Sequence, residues 1–80
     1  MPTIWRSGGF RFVIWPDDHE PPHVHVFRSG RELVINLGIA DQLPYVRDNY
    51  GMRRNDQNAA LLVAAVNKAI FWESWKEING

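Results

Sequence analysis

The sequence has no cysteine, no excess of either charge and no long apolar run. Without cysteine it has neither a disulfide framework nor a thiolate site, and because small secreted domains usually need disulfides, we expect a cytoplasmic protein. Lys and Arg together number 9, as do Asp and Glu, so the basic excess of duplex-DNA binders is missing. No stretch approaches a membrane span, and the opening MPTIWRSGG lacks the cationic and apolar parts of a signal peptide.

Several catalytic signatures are also missing. The sequence contains neither a glycine-rich phosphate loop with lysine nor a Gly-x-Ser-x-Gly elbow, and a cysteine nucleophile is excluded. The hydrophobic share of 45% and the charged share of 22% are those of an ordinary globular protein. Residues 1–80 should form a single domain, and because so short a chain buries only about 60% of its unfolded surface, we expect a homo-oligomer.

Paired glycines divide the first of two predicted β-hairpins. In TIWRSGGFRFVIW, Gly8 and Gly9 suit the positive φ angles of a two-residue type I′ turn. The resulting register pairs Ser7 with Phe10, Arg6 with Arg11, Trp5 with Phe12 and Ile4 with Val13. Like charges directly opposite each other destabilise a strand pair unless an anion or an acid lies between them. The arginine pair therefore indicates either an anion-binding spot or two splayed, solvated side chains.

The stretch HVHVFRSGRELVINL predicts a second hairpin, around Ser29-Gly30. Its register pairs His23 with Asn36, Val24 with Ile35, His25 with Val34 and Val26 with Leu33. Alternation then gives an apolar core face, made of Trp5, Phe10, Phe12, Ile14, Val24, Val26, Leu33, Ile35 and Leu37. The opposite face, which we call the second face, should contact another copy or a partner and carries Arg6, Arg11, Val13, Trp15, His23, His25, Phe27, Glu32, Val34 and Asn36.

The remainder of the chain predicts one helix. Residues 38–54 show no clean period, so we expect a long connection with at most a short extra element. From about Asn55 to Asn79 no proline or glycine intervenes, and the pattern predicts one long helix whose apolar stripe includes Leu62 and Val66. The expected fold is therefore α+β, with an antiparallel sheet of about four strands, in two hairpins, and one long C-terminal helix packed on one face.

All three histidines lie in the stretch DHEPPHVHV, residues 18–26. On a strand, His23 and His25 point to one face and can bind a single metal ion. His19, in the preceding turn, can supply a third nitrogen, and Asp17, Asp18 or Glu20 can add an oxygen. These ligand types suit a divalent ion such as zinc.

A second interpretation is acid–base chemistry without a metal. In this case His23 and His25 exchange protons, with His19 in support, near a bound RNA phosphate. Glu32 and Asn36 are their predicted neighbours on the second face. The phosphate would be held by the arginines Arg6, Arg11 and Arg28.

A third interpretation is purely structural. Pro21 and Pro22 would hold the approach to the strand extended, Asp18 or His19 would bond the backbone of the turn, and the strand histidines would make buried polar links. The density of three histidines beside several acids favours a functional role over this one.

Four pieces of the sequence together carry a family resemblance: the opening MPTI, the strand GGFRFVIW, the stretch DHEPPHVHV and the ending WESWKEING. With these the chain resembles the bacterial family called domain of unknown function 4160. The motif of that family matches Asp18, His19, Pro21, Pro22, His23, Val24, His25 and Val26, and it assigns none of them a role. Residues 41–54 match no pattern of the family.

The resemblance implies a small prokaryotic protein, often encoded beside a protein of the family called domain of unknown function 2442. That arrangement is typical of a toxin–antitoxin module. We therefore expect a module component that binds or cleaves RNA with His19, His23 and His25 as catalytic candidates. Two alternatives stay open, a non-catalytic module that binds a second copy or the cognate small protein, and a divalent-metal-binding protein.

Overall fold

The computed structural model describes residues 3–80. Its elements are β1 (Thr3–Ser7), β2 (Phe10–Val13), β3 (His23–Arg28), β4 (Arg31–Asn36), β5 (Tyr45–Tyr50), α1 (Arg54–Val66) and α2 (Lys68–Asn79). The strands form one antiparallel sheet in the order β1-β2-β3-β4-β5. The α+β class is confirmed, whereas the expectation of about four strands and one helix is corrected to five strands and two helices.

Both hairpin turns have the backbone that the sequence indicated. Gly8 and Gly9 have φ of 54° and 83°, and Ser29 and Gly30 have φ of 51° and 76°, the positive values of a type I′ turn. The β3–β4 register agrees with all of the predicted pairs. This agreement fixes which residues of β3 face the core and which face the other way.

The β1–β2 register departs from the prediction at one point. Thr3, not Ile4, pairs with Val13, because the register shifts between Thr3 and Trp5 and leaves Ile4 as an extra residue. Ile4 and Trp5 both pack against the core. Consecutive residues of a regular strand point to opposite faces, so a bulge is what allows both side chains to reach the core.

The core lies between the sheet and the helices. Eight of the nine predicted core-face residues are buried and Trp5 is partly buried against them. The helices contribute Ala60, Ala64, Phe71 and Trp75 to this cluster. Phe71 is fully buried, with its ring 5.4 Å from that of Phe12 and 6.1 Å from that of Trp5. Burying such a side chain contributes roughly 1.5–3 kcal/mol.

The predicted helix is interrupted at Asn67, which has φ −105° and ψ 18°. Its side-chain amide donates to the carbonyl of Val63 at 2.9 Å, and such local bonds compete with regular helix geometry. The predicted apolar stripe is wrong at Leu62 and Val66, which are 66% and 75% exposed. Within residues 3–80, no helix is long and apolar enough to cross a membrane.

The segment expected to be a long connection contains β5, the edge strand beside β4. Only Val46 of this strand packs against the core, and the rest of it is exposed. A strand with one inward apolar residue has no visible alternation, which explains why the period-based prediction missed it. Asn49 then turns the chain toward α1, accepting from the Met52 amide at 2.7 Å and donating to its carbonyl at 3.0 Å.

Candidate metal centre

His23 and His25 lie side by side on the second face, near the start of β3. Their ring centroids are 5.2 Å apart. The Nδ1 of His23 lies 2.9 Å from the carbonyl oxygen of Pro21, and the Nδ1 of His25 lies 2.8 Å from Oε2 of Glu32. A carbonyl or an ionised carboxylate can only accept, so both Nδ1 atoms donate. In the neutral rings both Nε2 atoms therefore carry a lone pair.

Asp18 brings its carboxylate to these two lone pairs. Its Oδ2 lies 3.4 Å from Nε2 of His23 and 3.4 Å from Nε2 of His25. The turn before β3 holds it there, because the amide of Trp15 donates to the same Oδ2 at 3.3 Å and the amide of Asp18 donates to the Trp15 carbonyl at 3.3 Å. Asp17, inside the turn, has φ 67°, a left-handed conformation that aspartate tolerates better than most residues.

The three facing atoms all accept hydrogen bonds. Nε2 of His25 is buried and has no hydrogen-bond partner among the described residues. Leaving such a group unsatisfied costs about 1–3 kcal/mol, and a carboxylate facing two lone pairs adds electrostatic repulsion. A cation placed between the three atoms removes both costs.

The distances from Asp18 Oδ2 to the two histidine nitrogens match metal coordination. The three ligand atoms lie within 4.8 Å of one another. Two ligands bound at about 2.1 Å to one tetrahedral ion are separated by roughly 3.4 Å, and this is the distance from Asp18 Oδ2 to each Nε2. The bonds from Nδ1 to a backbone carbonyl and to a carboxylate are those that orient histidine ligands in metal proteins.

Aromatic side chains and α2 enclose the back of this centre. The Trp75 ring lies 5.2 Å from that of His23, and the Trp15 ring lies 6.5 Å from that of His25. The side-chain amide of Asn79, at the end of α2, donates to the Trp15 carbonyl at 3.1 Å. His23 is consequently only 4% exposed within a single chain.

The other predicted residues of the motif are spread around the centre. His19 is exposed and lines the cavity in front of it, but the compact group contains Asp18 in its place. Pro22 is buried and its carbonyl accepts from the Leu37 amide at 3.0 Å, which anchors the start of β3. Asn36 is the strand partner of His23, and its Oδ1 is buried without a partner in the described chain.

The three predicted anion-binding arginines lie away from the histidines. Arg6 and Arg11 are strand partners as predicted, and the Arg11 guanidinium lies 5.0 Å from the centroid of the Phe27 ring. Arg28 lies over the Phe10 ring at 4.9 Å, donates to the Gly8 carbonyl and is 3.6 Å from the carboxylate of Asp56. None of these arginine side chains is among the residues that line the cavity in front of the histidines.

The cavity holds about 360 Å³ and takes one wall from β5. It is lined by Asp18, His19, His23, His25, Glu32, Val34, Arg47, Asp48 and Tyr50. The sequence did not predict Arg47, Asp48 and Tyr50 as site residues, because it did not predict β5, the strand that carries them. A signal was available, because the run YVRDNY is bounded by Pro44 and Gly51 and ends in aromatic residues, as short strands often do.

Most of the chain matches a known protein family. Residues 9–76 match the model of a family described as a domain of unknown function (DUF4160). Among curated proteins and solved structures there is no match.

Proposed function

This chain belongs to the DUF4160 family, and we propose that it binds a divalent metal ion through Asp18 Oδ2, His23 Nε2 and His25 Nε2. The observation that carries this proposal is the position of Asp18 Oδ2, 3.4 Å from Nε2 of each histidine, where Nε2 of His25 is buried with no hydrogen-bond partner among the described residues. Metal-free acid–base chemistry on a bound RNA phosphate has less support, because none of Arg6, Arg11 and Arg28, the residues predicted to hold the phosphate, lines the histidine cavity.

Three protein ligands define a particular kind of metal site. Structural zinc sites are closed by four protein ligands, whereas catalytic sites keep one position for water or substrate. Two histidines and one carboxylate suit zinc, and also iron(II) when further positions are open. Asp18, His23 and His25 all line the cavity, so an ion that they held would be able to make a bound water molecule more acidic there.

The proposal is tested by metal content and by titration of chelator-treated protein. We expect one zinc or cobalt(II) ion per chain, with binding abolished in Asp18→Ala and in His25→Ala. His19→Ala is the matched control, because it removes an imidazole from the same cavity but leaves the three ligands in place. Absence of metal uptake by the folded wild-type protein would refute the site. If His19→Ala lost as much metal affinity as Asp18→Ala, His19 would be a ligand and the proposed set of three ligands would be wrong.

RNA binding as part of a toxin–antitoxin-type module is a second candidate function. Its support is the pairing of Arg6 with Arg11 on the second face and the stacking of Arg11 on Phe27. Arginine and aromatic groups together provide phosphate contacts and stacking for single-stranded RNA. Induced expression tests this role: growth arrest that Arg6→Gln combined with Arg11→Gln relieves would support it, and a harmless wild-type protein would count against it.

A third candidate is a non-catalytic interaction module, either a homo-oligomer or one that binds the cognate small protein. An exposed apolar row at helical spacing, Leu62, Val66 and Ile70, favours it. Sedimentation of the wild type and of Val66→Asp tests it: a wild-type dimer that the substitution dissociates is expected, and a wild-type monomer refutes the homo-oligomer.

A further inference from the structure

The wall of the cavity opposite the histidines is built by an irregularity in β5. Val34 and Ile35, adjacent in β4, pair with Asp48 and Val46, so Arg47 is an extra residue in the edge strand. Neighbouring residues of a regular strand point to opposite faces, but a bulge redirects one of them. Here Arg47 and Asp48 line the same cavity, while Val46 packs against the core.

Arg47 is the only cavity-lining side chain with a fixed positive charge in the described structure. It forms an exposed ion pair with Asp48, but the 3.7 Å from its Nε to Oδ2 of Asp48 is too long for a hydrogen bond, and both side chains are 46% exposed. No described residue accepts a hydrogen bond from its guanidinium, so the donors of the fork are available to a ligand. Arginine presents them in the flat arrangement that matches two oxygens of a phosphate.

Two of the three acidic side chains that line the cavity interact with other groups of the proposed centre, and the third, Asp48, lies beside Arg47. Asp18 is a proposed ligand, and Glu32 accepts from the Nδ1 of His25. The open position of a divalent ion and the fork of Arg47 would then be two positive groups facing one space. That arrangement favours an anion able to contact both, with one oxygen on the ion and others on the guanidinium.

The size of the cavity selects among such anions. At about 360 Å³ it falls at the small end of ligand pockets, which hold roughly 300–1,000 Å³. It therefore has room for an organic group attached to the phosphate. Building on the proposed metal site, we propose that the ion and Arg47 together bind a phosphate ester.

The inference is tested on cobalt(II)-loaded protein, whose visible spectrum reports changes in coordination. Phenyl phosphate and inorganic phosphate are titrated against the wild type, Arg47→Gln and Arg53→Gln. Arg53 is exposed and lies outside this cavity, so Arg53→Gln is the matched control. We expect phenyl phosphate to change the wild-type spectrum saturably. Arg47→Gln should weaken the affinity for phenyl phosphate about tenfold or more, because a charge-assisted bond is lost. Its affinity for cobalt should be unchanged.

The possible failures are distinguishable. If cobalt binds but phenyl phosphate leaves the spectrum unchanged, the phosphate-ester inference is overturned and the metal site stands. The same conclusion follows if Arg47→Gln and Arg53→Gln weaken the affinity for phenyl phosphate equally. Binding of inorganic phosphate alone would exclude an ester, and acetate binding as tightly as phenyl phosphate through Arg47 would assign the site to carboxylates. Failure of the wild type to bind cobalt would overturn both proposals.

Discussion

The two faces of the sheet are built from the same strands but satisfy their side chains differently. On the core face, Val24 and Val26 are fully buried among apolar side chains, and neither valine side chain needs a hydrogen-bond partner. On the second face, His23 and His25 alternate with them along β3, and the Nε2 atom of His25 is buried without a hydrogen-bond partner in residues 3–80. The core face is satisfied by apolar packing, whereas the proposed metal ion would supply the partner of this nitrogen on the second face.

The largest expected effect comes from breaking the core face. Phe71→Ala should reduce the free energy of unfolding by about 3–5 kcal/mol, because it leaves a cavity between sheet and helices. Urea denaturation measures the change. Phe71→Leu should lose less of the free energy of unfolding, so it provides a folded variant if Phe71→Ala does not fold. Ile70→Ala, next in the chain and 49% exposed, is the control. Equal losses in the two alanine variants would contradict the described orientation of α2.

Completing the second face should stabilise the protein by a somewhat smaller amount. Zinc at roughly 100 times its dissociation constant should add about 2.7 kcal/mol to the free energy of unfolding, because it binds the folded state alone. The same denaturation experiment, with and without zinc, measures this gain. Asp18→Ala should abolish it and Asp41→Ala, at an exposed acid, should retain it. A gain that survives Asp18→Ala would show that zinc binds elsewhere.

The partners of the histidines should matter less than the ligands. Glu32→Gln keeps an acceptor for the Nδ1 of His25 but removes the negative charge that makes the ring a better donor to a metal. Zinc affinity should fall about 10- to 100-fold, measured by competition with a coloured chelator. Glu73→Gln, on the exposed surface of α2, should leave it unchanged. An unchanged affinity in Glu32→Gln would mean that the 2.8 Å contact has no role in binding.

The smallest effect is expected at Leu62, which helical spacing had assigned to the core. It is 66% exposed, so Leu62→Ala should change the free energy of unfolding of the monomer by no more than about 0.5 kcal/mol. Calorimetry at low protein concentration measures this. A loss of several kcal/mol would place Leu62 in a buried contact and contradict the orientation of α1.

Local patterns were enough to predict the core face and the positions of the strand histidines. Glycine pairs fixed the two turns, and alternation then assigned Val24 inward and His23 outward, because a one-residue slip would have placed apolar side chains in water. The family resemblance to DUF4160 was also confirmed.

The departures arise where distant parts of the chain decide the outcome. The bulge at Ile4 accompanies the packing of Ile4 and Trp5 against the core, and the break at Asn67 coincides with a side-chain bond to Val63. Alternation could not show which acid or histidine of the turn would face the strand, because that depends on the left-handed backbone of Asp17. Of the acids predicted to supply an oxygen, Asp18 joins His23 and His25 in the compact group, and His19 lies outside it.

The carbonyl of Trp15 accepts from both the amide of Asp18 and the side chain of Asn79. One oxygen atom thus joins the loop that carries the acidic ligand to the last turn of α2. An ion that fixes Asp18 would hold the end of that helix in place, and its removal by a chelator should speed amide exchange in the C-terminal turn before it affects β3 and β4. Metal bound at the proposed site would then be detected as slower amide exchange in the last turn of α2.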